Sequence, residues 1–378
     1  MFDDLDPKVD DYAVRVVDRL LGRALEAAVS DIHVSQRQGQ IAIRWRVHGT
    51  LVPVAEIADG ESTSILNRIK AAAKLVTYRS DIPQEGSLRL RSQASTTDAS
   101  GPTVWEARVS TLPTLHGERA VVRLQPSQQK VRKLAELGLE ASLHERILQT
   151  LKLPSGVMVI AGRSGSGKTT TGYACLDMIL SSAQLRSVVT LEDPVECEMS
   201  GADQSEIGRA QEYDWTMGLK ALLRQDPEVM FVGEIRDAET ATTVFQAAMT
   251  GQLVITTLHA RSSCDALRRL LDLGVPSQHI IASLNLLFCQ QLVAIPCECP
   301  PPMGATALEN RIQCDDCHGT MVRGRKLVTE QLPELSDSLA ALIGSGADTK
   351  QFQHAAIAEG MIPLQQTIDH LDSNNAAH

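Results

Sequence analysis

Residues 157–171 read VMVIAGRSGSGKTTT, and this stretch limits the possible folds more than any other part of the chain. The apolar run Val157–Ala161 fits a strand buried on both faces, as in a parallel sheet. Gly162 to Thr169 matches G-x-x-x-x-G-K-[ST], and a helical pattern follows from about Thr170 to Leu180. Strand, glycine loop and helix in that order are the context a phosphate-binding loop needs. Gly162, Gly165 and Gly167 let the backbone approach phosphate oxygens and turn its N–H groups toward them. The helix N-terminus adds partial positive charge. The expected nucleotide cradle is therefore Gly162, Arg163, Ser164, Gly165, Ser166, Gly167, Lys168, Thr169 and Thr170. Lys168 is placed for the β- and γ-phosphates of ATP and Thr169 for Mg²⁺. The competing reading is a flexible loop that matches by chance, and the flanking strand and helix argue against it.

A chain of 378 residues has room for two domains and a small third module. Its net charge of −10 argues against a protein devoted to duplex DNA, although a local basic face remains compatible. The acidic start MFDDLDPKVDD is no signal peptide, and no apolar run reaches membrane-spanning length. The expected location is cytoplasmic, where eight cysteines read as metal ligands or buried thiols rather than disulfides.

Before the glycine loop the pattern predicts a small α+β domain over 1–124. It has a helix over 11–28, strands at 32–34 and 41–47 around a Gln38-Gly39 turn, and a helix over 61–75. A turn at Ile82–Gly86, an exposed loop at Ser92–Gly101 and strands at 104–111 and 120–124 follow. Residues 125–130 read as a linker. From Val131 to about residue 292 strands and helices alternate, which predicts a doubly wound, mostly parallel α/β sheet. Residues 293–330 form a cysteine-rich module, and 331–378 hold two amphipathic helical stretches.

In an open α/β sheet, functional groups gather at the carboxyl ends of the strands. Here those ends carry Lys168, Glu192 with Asp193, Glu234, and His259. Phosphoryl transfer needs a phosphate cradle, Mg²⁺, a group that orients water, and positive charge. Glu234 can polarise water, Glu192 and Asp193 can share metal or water contacts, and His259 can contact the γ-phosphate. Singly, such acids are often helix caps and such a histidine structural; four strand ends beside one glycine loop shift the balance.

Three segments, LEDPVE at 191–196, LLRQDPEVMFVGEIRDAET at 222–240 and TGQLVITTLHA at 250–260, resemble the Asp box, Walker B and His box of the secretion ATPase superfamily. SDIH at 30–33, RVHG at 46–49, IPQEG at 82–86 and RVSTLPTLHGERAVVRL at 108–124 resemble the domain that precedes its motor. The resemblance implies a RecA-like P-loop motor domain behind a small PAS-like α+β domain, working as an ATP-hydrolysing homohexamer at the inner face of the inner membrane. It assigns Glu234 as catalytic glutamate, Glu192 as Asp-box acid, and Arg108 and Arg123 as arginine fingers. It implies type II secretion or type IV pilus assembly, acting on an inner-membrane platform protein, with a membrane-anchored docking protein as a further partner and no nucleic acid. Gln252 stands where the family usually has a second histidine, and Ser87 where an arginine is common. The chain begins too close to SDIH for the family's extra N-terminal domain, so docking through another surface or chain is expected.

Cys297-x-Cys299 and Cys314-x-x-Cys317 have the composition of a structural tetrathiolate zinc site, with His318 as a substitute ligand because the first pair is one residue short. The competing reading is four free thiols in a surface loop. Assembly-side ATPases of the superfamily carry a tetracysteine module here and retraction ATPases lack it. A nucleic-acid translocase on the same fold would need a basic channel with stacking aromatics, yet aromatics are 3% of the chain. A scaffold that binds ATP without turnover is disfavoured by Lys168 and Glu234. Cys175, Cys197, Cys264 and Cys289 read as small buried hydrophobes.

Overall fold

The computed structural model describes the chain except residues 1, 3–4, 7–8, 10, 28, 59–61, 92–103, 127–130, 209–211, 300–313, 315, 318–319 and 377–378. The expected loop at Ser92–Gly101, residues 127–130 of the expected linker, and His318 lie outside the described residues. Two compact units are present: Met1–Gln129 with Ala294–Arg325, and Lys130–Val293 with Lys326–His378.

The first unit contains α1 (Tyr12–Glu26), β1 (Asp31–Arg37), β2 (Gln40–Val47), β3 (Thr50–Ala58), α2 (Ser62–Ala72), β4 (Gln84–Arg91), β5 (Val104–Thr114) and β6 (Gly117–Pro126). The six strands form one sheet in the order β3-β2-β1-β6-β5-β4, every neighbour antiparallel. Alternation sorts the two faces. Ile32, Val34, Ile41, Ile43, Trp45, Val109 and Val122 join Val16, Leu20, Ile65 and Ile69 of the helices in one buried core. The other face carries the polar alternates. The sequence pattern misses β3, whose Pro53 weakens a strand reading. β3 is an edge strand, where a proline is tolerated, and its register shifts between Ile43 and Arg44 of its neighbour. The segment read as a turn at Ile82–Gly86 already belongs to β4 from Gln84 onward. Gln84 folds back instead: its Nε2 donates to the carbonyls of Val76 (3.0 Å) and Arg79 (2.7 Å), and its Oε1 accepts from the Val76 N–H (2.9 Å). A Cβ at Gly86 would lie 2.5 Å from the Ala73 carbonyl, so the strand passes there only without a side chain.

The second unit holds α3 (Ala141–Leu151), β7 (Gly156–Ala161), α4 (Lys168–Leu180), β8 (Val188–Glu192), β9 (Asp203–Glu206), α5 (Trp215–Leu222), β10 (Val229–Val232), α6 (Ala238–Met249), β11 (Leu253–Leu258), α7 (Ser263–Asp272) and α8 (Ser277–Ser283). Then come β12 (Leu284–Pro296), β13 (Val322–Gln331), α9 (Asp337–Ser345), α10 (Thr349–Ala358) and α11 (Leu364–Ala376). The sheet order is β13-β12-β7-β11-β10-β8-β9, parallel from β12 to β9. Alternate residues of one strand enter different cores. Val157, Val159, Met230, Val232 and Val254 face the core built with α6 and α7. Met158, Ile160, Val229, Phe231 and Ile255 face the core built with α3 and α4. Burial on both faces is why these strands are unbroken apolar runs. The sheet is the doubly wound α/β arrangement the sequence implies.

Among the described residues, three helices rather than two follow β13. Gly346 in the left-handed region (φ 71°) ends α9, and an Asp348–Gln351 capping box starts α10 two residues later. So short a break leaves the helical periodicity nearly continuous and hides the boundary. Glu330 on β13, buried, accepts from the N–H groups of Ser263 (2.5 Å) and Leu364 (2.8 Å), holding the starts of α7 and α11.

In the first unit, Lys70 of α2 is fully buried and its Nζ donates to both oxygens of Glu118 at 2.9 Å and to the Arg79 carbonyl at 2.7 Å. Removing one partner strands a buried charge, whereas replacing both with apolar groups of similar volume does not. Glu118→Ala should cost about 3–5 kcal/mol by denaturant melts, and Lys70→Met/Glu118→Leu should recover most of it. Equal losses in the single and double variants would show that the pair is not the cause.

Candidate functional site

At the carboxyl end of β7 the chain turns through three glycines with φ of 153° at Gly162, 73° at Gly165 and 88° at Gly167, all in the left-handed region where only glycine is unstrained. The loop leaves no room for added side chains at its base. A Cβ on Gly162 would meet the Ser166 hydroxyl and, at 2.5 Å, the Gln290 carbonyl. The Ser166 hydroxyl is buried without a hydrogen-bond partner. A loop with three left-handed glycines, an unpartnered buried hydroxyl and the N-terminus of α4 together fit an anionic ligand such as a nucleotide phosphate. Thr169 is half-buried on the first turn of α4, and Arg163, Ser164 and Thr170 are exposed.

Lys168 begins α4, and its Nζ donates to the carbonyls of Gly162 and Arg163, both at 3.1 Å. Burial pulls its ammonium below the usual lysine range, and Glu234 partly offsets this. The His259 Nδ1, after β11, lies 3.4 Å from Lys168 Nζ. The His259 Nε2 lies 3.1 Å from one oxygen of Glu234, after β10. An ammonium can only donate, so Nδ1 accepts and Nε2 carries the proton given to Glu234. The other Glu234 oxygen accepts from Arg236 Nε at 3.1 Å, and Arg236 also donates to Asp193, after β8, at 3.0 Å. Trp215 supports the Arg236 guanidinium from 5.9 Å. Four neighbouring strands, β7, β11, β10 and β8, thus lead into one chain of groups, Lys168–His259–Glu234–Arg236–Asp193.

Glu192, the last residue of β8, is not in that chain. It is buried and accepts from Tyr173 of α4, from Thr190 at 2.5 Å and from Gln204 of β9 at 3.1 Å. Burial, and then Glu192 itself, push the Tyr173 hydroxyl well above its ordinary range, so it stays a donor. Glu192 therefore ties α4 and β9 to β8, while the adjacent Asp193 pairs with Arg236.

The type II/IV secretion system protein family matches residues 7–372 of this sequence. This chain belongs to that family. A type II secretion system ATPase E of Vibrio cholerae serotype O1 is 34% identical over 91% of this chain and 69% of its own length. A type IV pilus assembly ATPase, PilB, of Thermus thermophilus is 32% identical over 94% of this chain, which spans 41% of that protein. The X-ray structure of the Yersinia pseudotuberculosis ATPase DotB shares the fold, with a TM-score of 0.74, 19% identity, and coverage of 98% of this chain and 92% of that one. Among the described residues of this family member, no helix is long and apolar enough to cross a membrane.

In the first unit of this secretion-family chain, Arg108 and Arg123 sit directly opposite one another on β5 and β6. Both are exposed on the polar face of the sheet. Arg123 Nε donates to Asp31 at 2.9 Å. Burial alone would push the Asp31 carboxyl up, but the bonds from Arg123 and Ser30 win and hold it below the usual carboxylate range. The same face carries Arg46, opposite Asp31, and Arg119, which donates to His33 Nδ1 at 3.0 Å.

The four cysteines Cys297, Cys299, Cys314 and Cys317 converge, with all Sγ atoms within 4.8 Å of one another. Cys297 and Cys314 approach to 3.7 Å, and Cys299 and Cys317 to 3.4 Å. A tetrahedron of thiolates about 2.3 Å from zinc has edges of roughly 3.8 Å, so the donor set fits that ion. The other four cysteines are buried, and burial pushes the thiols of Cys175, Cys264 and Cys289 up to about 12. Elemental analysis of protein purified without chelator should give about one zinc per chain, and Cys314→Ser/Cys317→Ser should lose it. Absence of zinc from the unsubstituted protein would overturn this expectation.

Two groups at the site carry no strong sequence signal. Arg236 lies within the quoted GEIRDAET segment, but only the structure gives it two acidic partners. Gln290 lies on β12, a strand that the sequence reading does not identify.

Proposed function

We propose that this chain is an ATP-hydrolysing motor that powers assembly of a type II secretion pseudopilus or a type IV pilus. The observation that carries the reading is the run of hydrogen bonds from Lys168 through His259 to Glu234, set beside an anion-shaped glycine loop. ATP phosphates would replace the two loop carbonyls now held by Lys168. Thr169 would hold Mg²⁺. Each Glu234 oxygen makes one hydrogen bond and keeps a free lone pair, so the carboxylate can still orient a water while His259 and Arg236 fix its direction. Glu192 acts through structure, fixing α4 against β8. The converged cysteines support an assembly rather than a retraction role, with zinc as a closed structural ion.

The motor would work as a homohexamer at the cytoplasmic face of the inner membrane, against a platform protein and a membrane-anchored docking protein. Arg108 and Arg123 of a neighbouring subunit would bring two guanidinium forks to the γ-phosphate, which planar, permanently charged groups suit.

Glu234→Gln should retain ATP binding and lose about 10²–10³ in kcat, while Lys168→Ala should lose binding. Near-normal turnover in Glu234→Gln would remove the catalytic assignment. Turnover should be indifferent to single-stranded DNA; strong stimulation would favour a translocase.

Arg108→Ala/Arg123→Ala and Glu234→Gln proteins should each be nearly inactive alone and regain activity when mixed under subunit exchange. No recovery in assemblies shown to be mixed would exclude arginines supplied by a neighbour.

A further inference from the structure

Gln290 is a buried polar side chain, 1% exposed, midway along β12. The last β12–β7 pair is Cys289 with Ala161, so Gln290 lies level with Gly162 where the glycine loop begins. Its side-chain Nε2 donates to the Ser166 carbonyl at 2.8 Å. Its Oε1 accepts from the Thr171 hydroxyl at 3.0 Å. The Ser166 carbonyl can only accept, so the amide nitrogen must face it and the oxygen must face Thr171. One amide thereby bridges the loop and the first turn of α4. Its backbone carbonyl also closes the space beside Gly162, and its Nε2 would lie 3.3 Å from a Cβ on Gly167.

We propose that Gln290 is a positioning residue of the nucleotide site. The peptide between Ser166 and Gly167 is a rigid trans plane, so its C=O and N–H point in opposite directions. Holding the Ser166 carbonyl toward β12 turns the Gly167 N–H away from β12 and into the loop. A loop-bound phosphate requires that direction. The Thr171 contact fixes the amide against flipping and ties the loop to the helix whose first residue is Lys168. Gln290 thus sets the loop in its binding geometry before ligand arrives, and binding need not order it. The site already contains a fixed cation in Lys168; Gln290 fixes the direction of a neighbouring N–H, a different requirement. Both polar ends of its amide are committed to the Ser166 carbonyl and the Thr171 hydroxyl, so it acts on affinity and leaves the chemistry to Glu234.

This proposal rests on the reading of the glycine loop as a nucleotide site. Gln290→Met keeps the side-chain length and removes both polar contacts. Thr171→Val keeps the shape at its position and removes the amide's orienting partner, together with the hydroxyl's 3.2 Å contact to the Gly167 carbonyl. Titration of each full-length protein with a fluorescent ADP analogue should show binding about tenfold weaker or more in Gln290→Met and weaker by a smaller factor in Thr171→Val. KM for ATP should rise in parallel, kcat at saturating ATP should stay within about twofold, and melting without nucleotide should be little changed. The double variant should bind no more weakly than Gln290→Met alone, because both act through one amide. A Gln290→Met protein with unchanged affinity and KM, or one in which kcat falls while KM holds, would overturn the assignment. If Gln290→Met does not fold, unchanged affinity in Thr171→Val overturns it as well. Lys168→Ala, run beside these, separates the two ideas. Loss of binding in Lys168→Ala with full binding in Gln290→Met refutes only the role of Gln290. Absence of nucleotide binding in the unsubstituted protein refutes both.

Discussion

The second unit is organised by one constraint: its central strands are buried on both faces. β7, β10 and β11 have no exposed side on which a charged residue could sit, because alternate residues enter two different cores. Polar chemistry is therefore pushed to the strand ends. At the carboxyl ends, Lys168, Asp193, Glu234 and His259 converge without any of them interrupting an apolar strand. The same constraint explains why Gly162 must be glycine, since the Gln290 backbone closes the only space a side chain could use.

At the convergence, charges are arranged alternately. A partly desolvated lysine, an imidazole, a carboxylate, a guanidinium and a second carboxylate follow one another, each within hydrogen-bond reach of the next. Burial alone would make Lys168 costly to keep charged. Two carbonyls and the imidazole hold the ammonium, while Glu234 supplies the nearby negative charge. Such an arrangement holds each charged group against a partner of opposite charge or complementary hydrogen-bonding capacity.

The apolar runs and the glycine loop made the second unit legible in the sequence, because strands buried on two faces and left-handed glycines both leave local signatures. The strand-end residues were legible as candidates, but their partners were not. Arg236 reads as one charge in a charged segment until β8 and β10 are placed side by side. Gln290 is an ordinary glutamine in QQLVA; its importance comes from β12 lying next to β7, a pairing between residues more than a hundred positions apart. In the first unit, the sequence reading gives a helix over 61–75 and singles out nothing at Lys70. Only folding brings Glu118 to it. The convergence of four cysteines was legible from their spacing, since paired thiols near one another have few other uses in such a chain.

The pairing of Arg108 with Arg123 has a cost for the lone chain. Like charges directly opposite on neighbouring strands repel, and Asp31 offsets only one of the two. This spot is electrostatically frustrated within a sheet whose hydrophobic face is otherwise well satisfied. A bound anion would relieve the conflict, so the repulsion between the two arginines leaves this spot receptive to negative charge from outside.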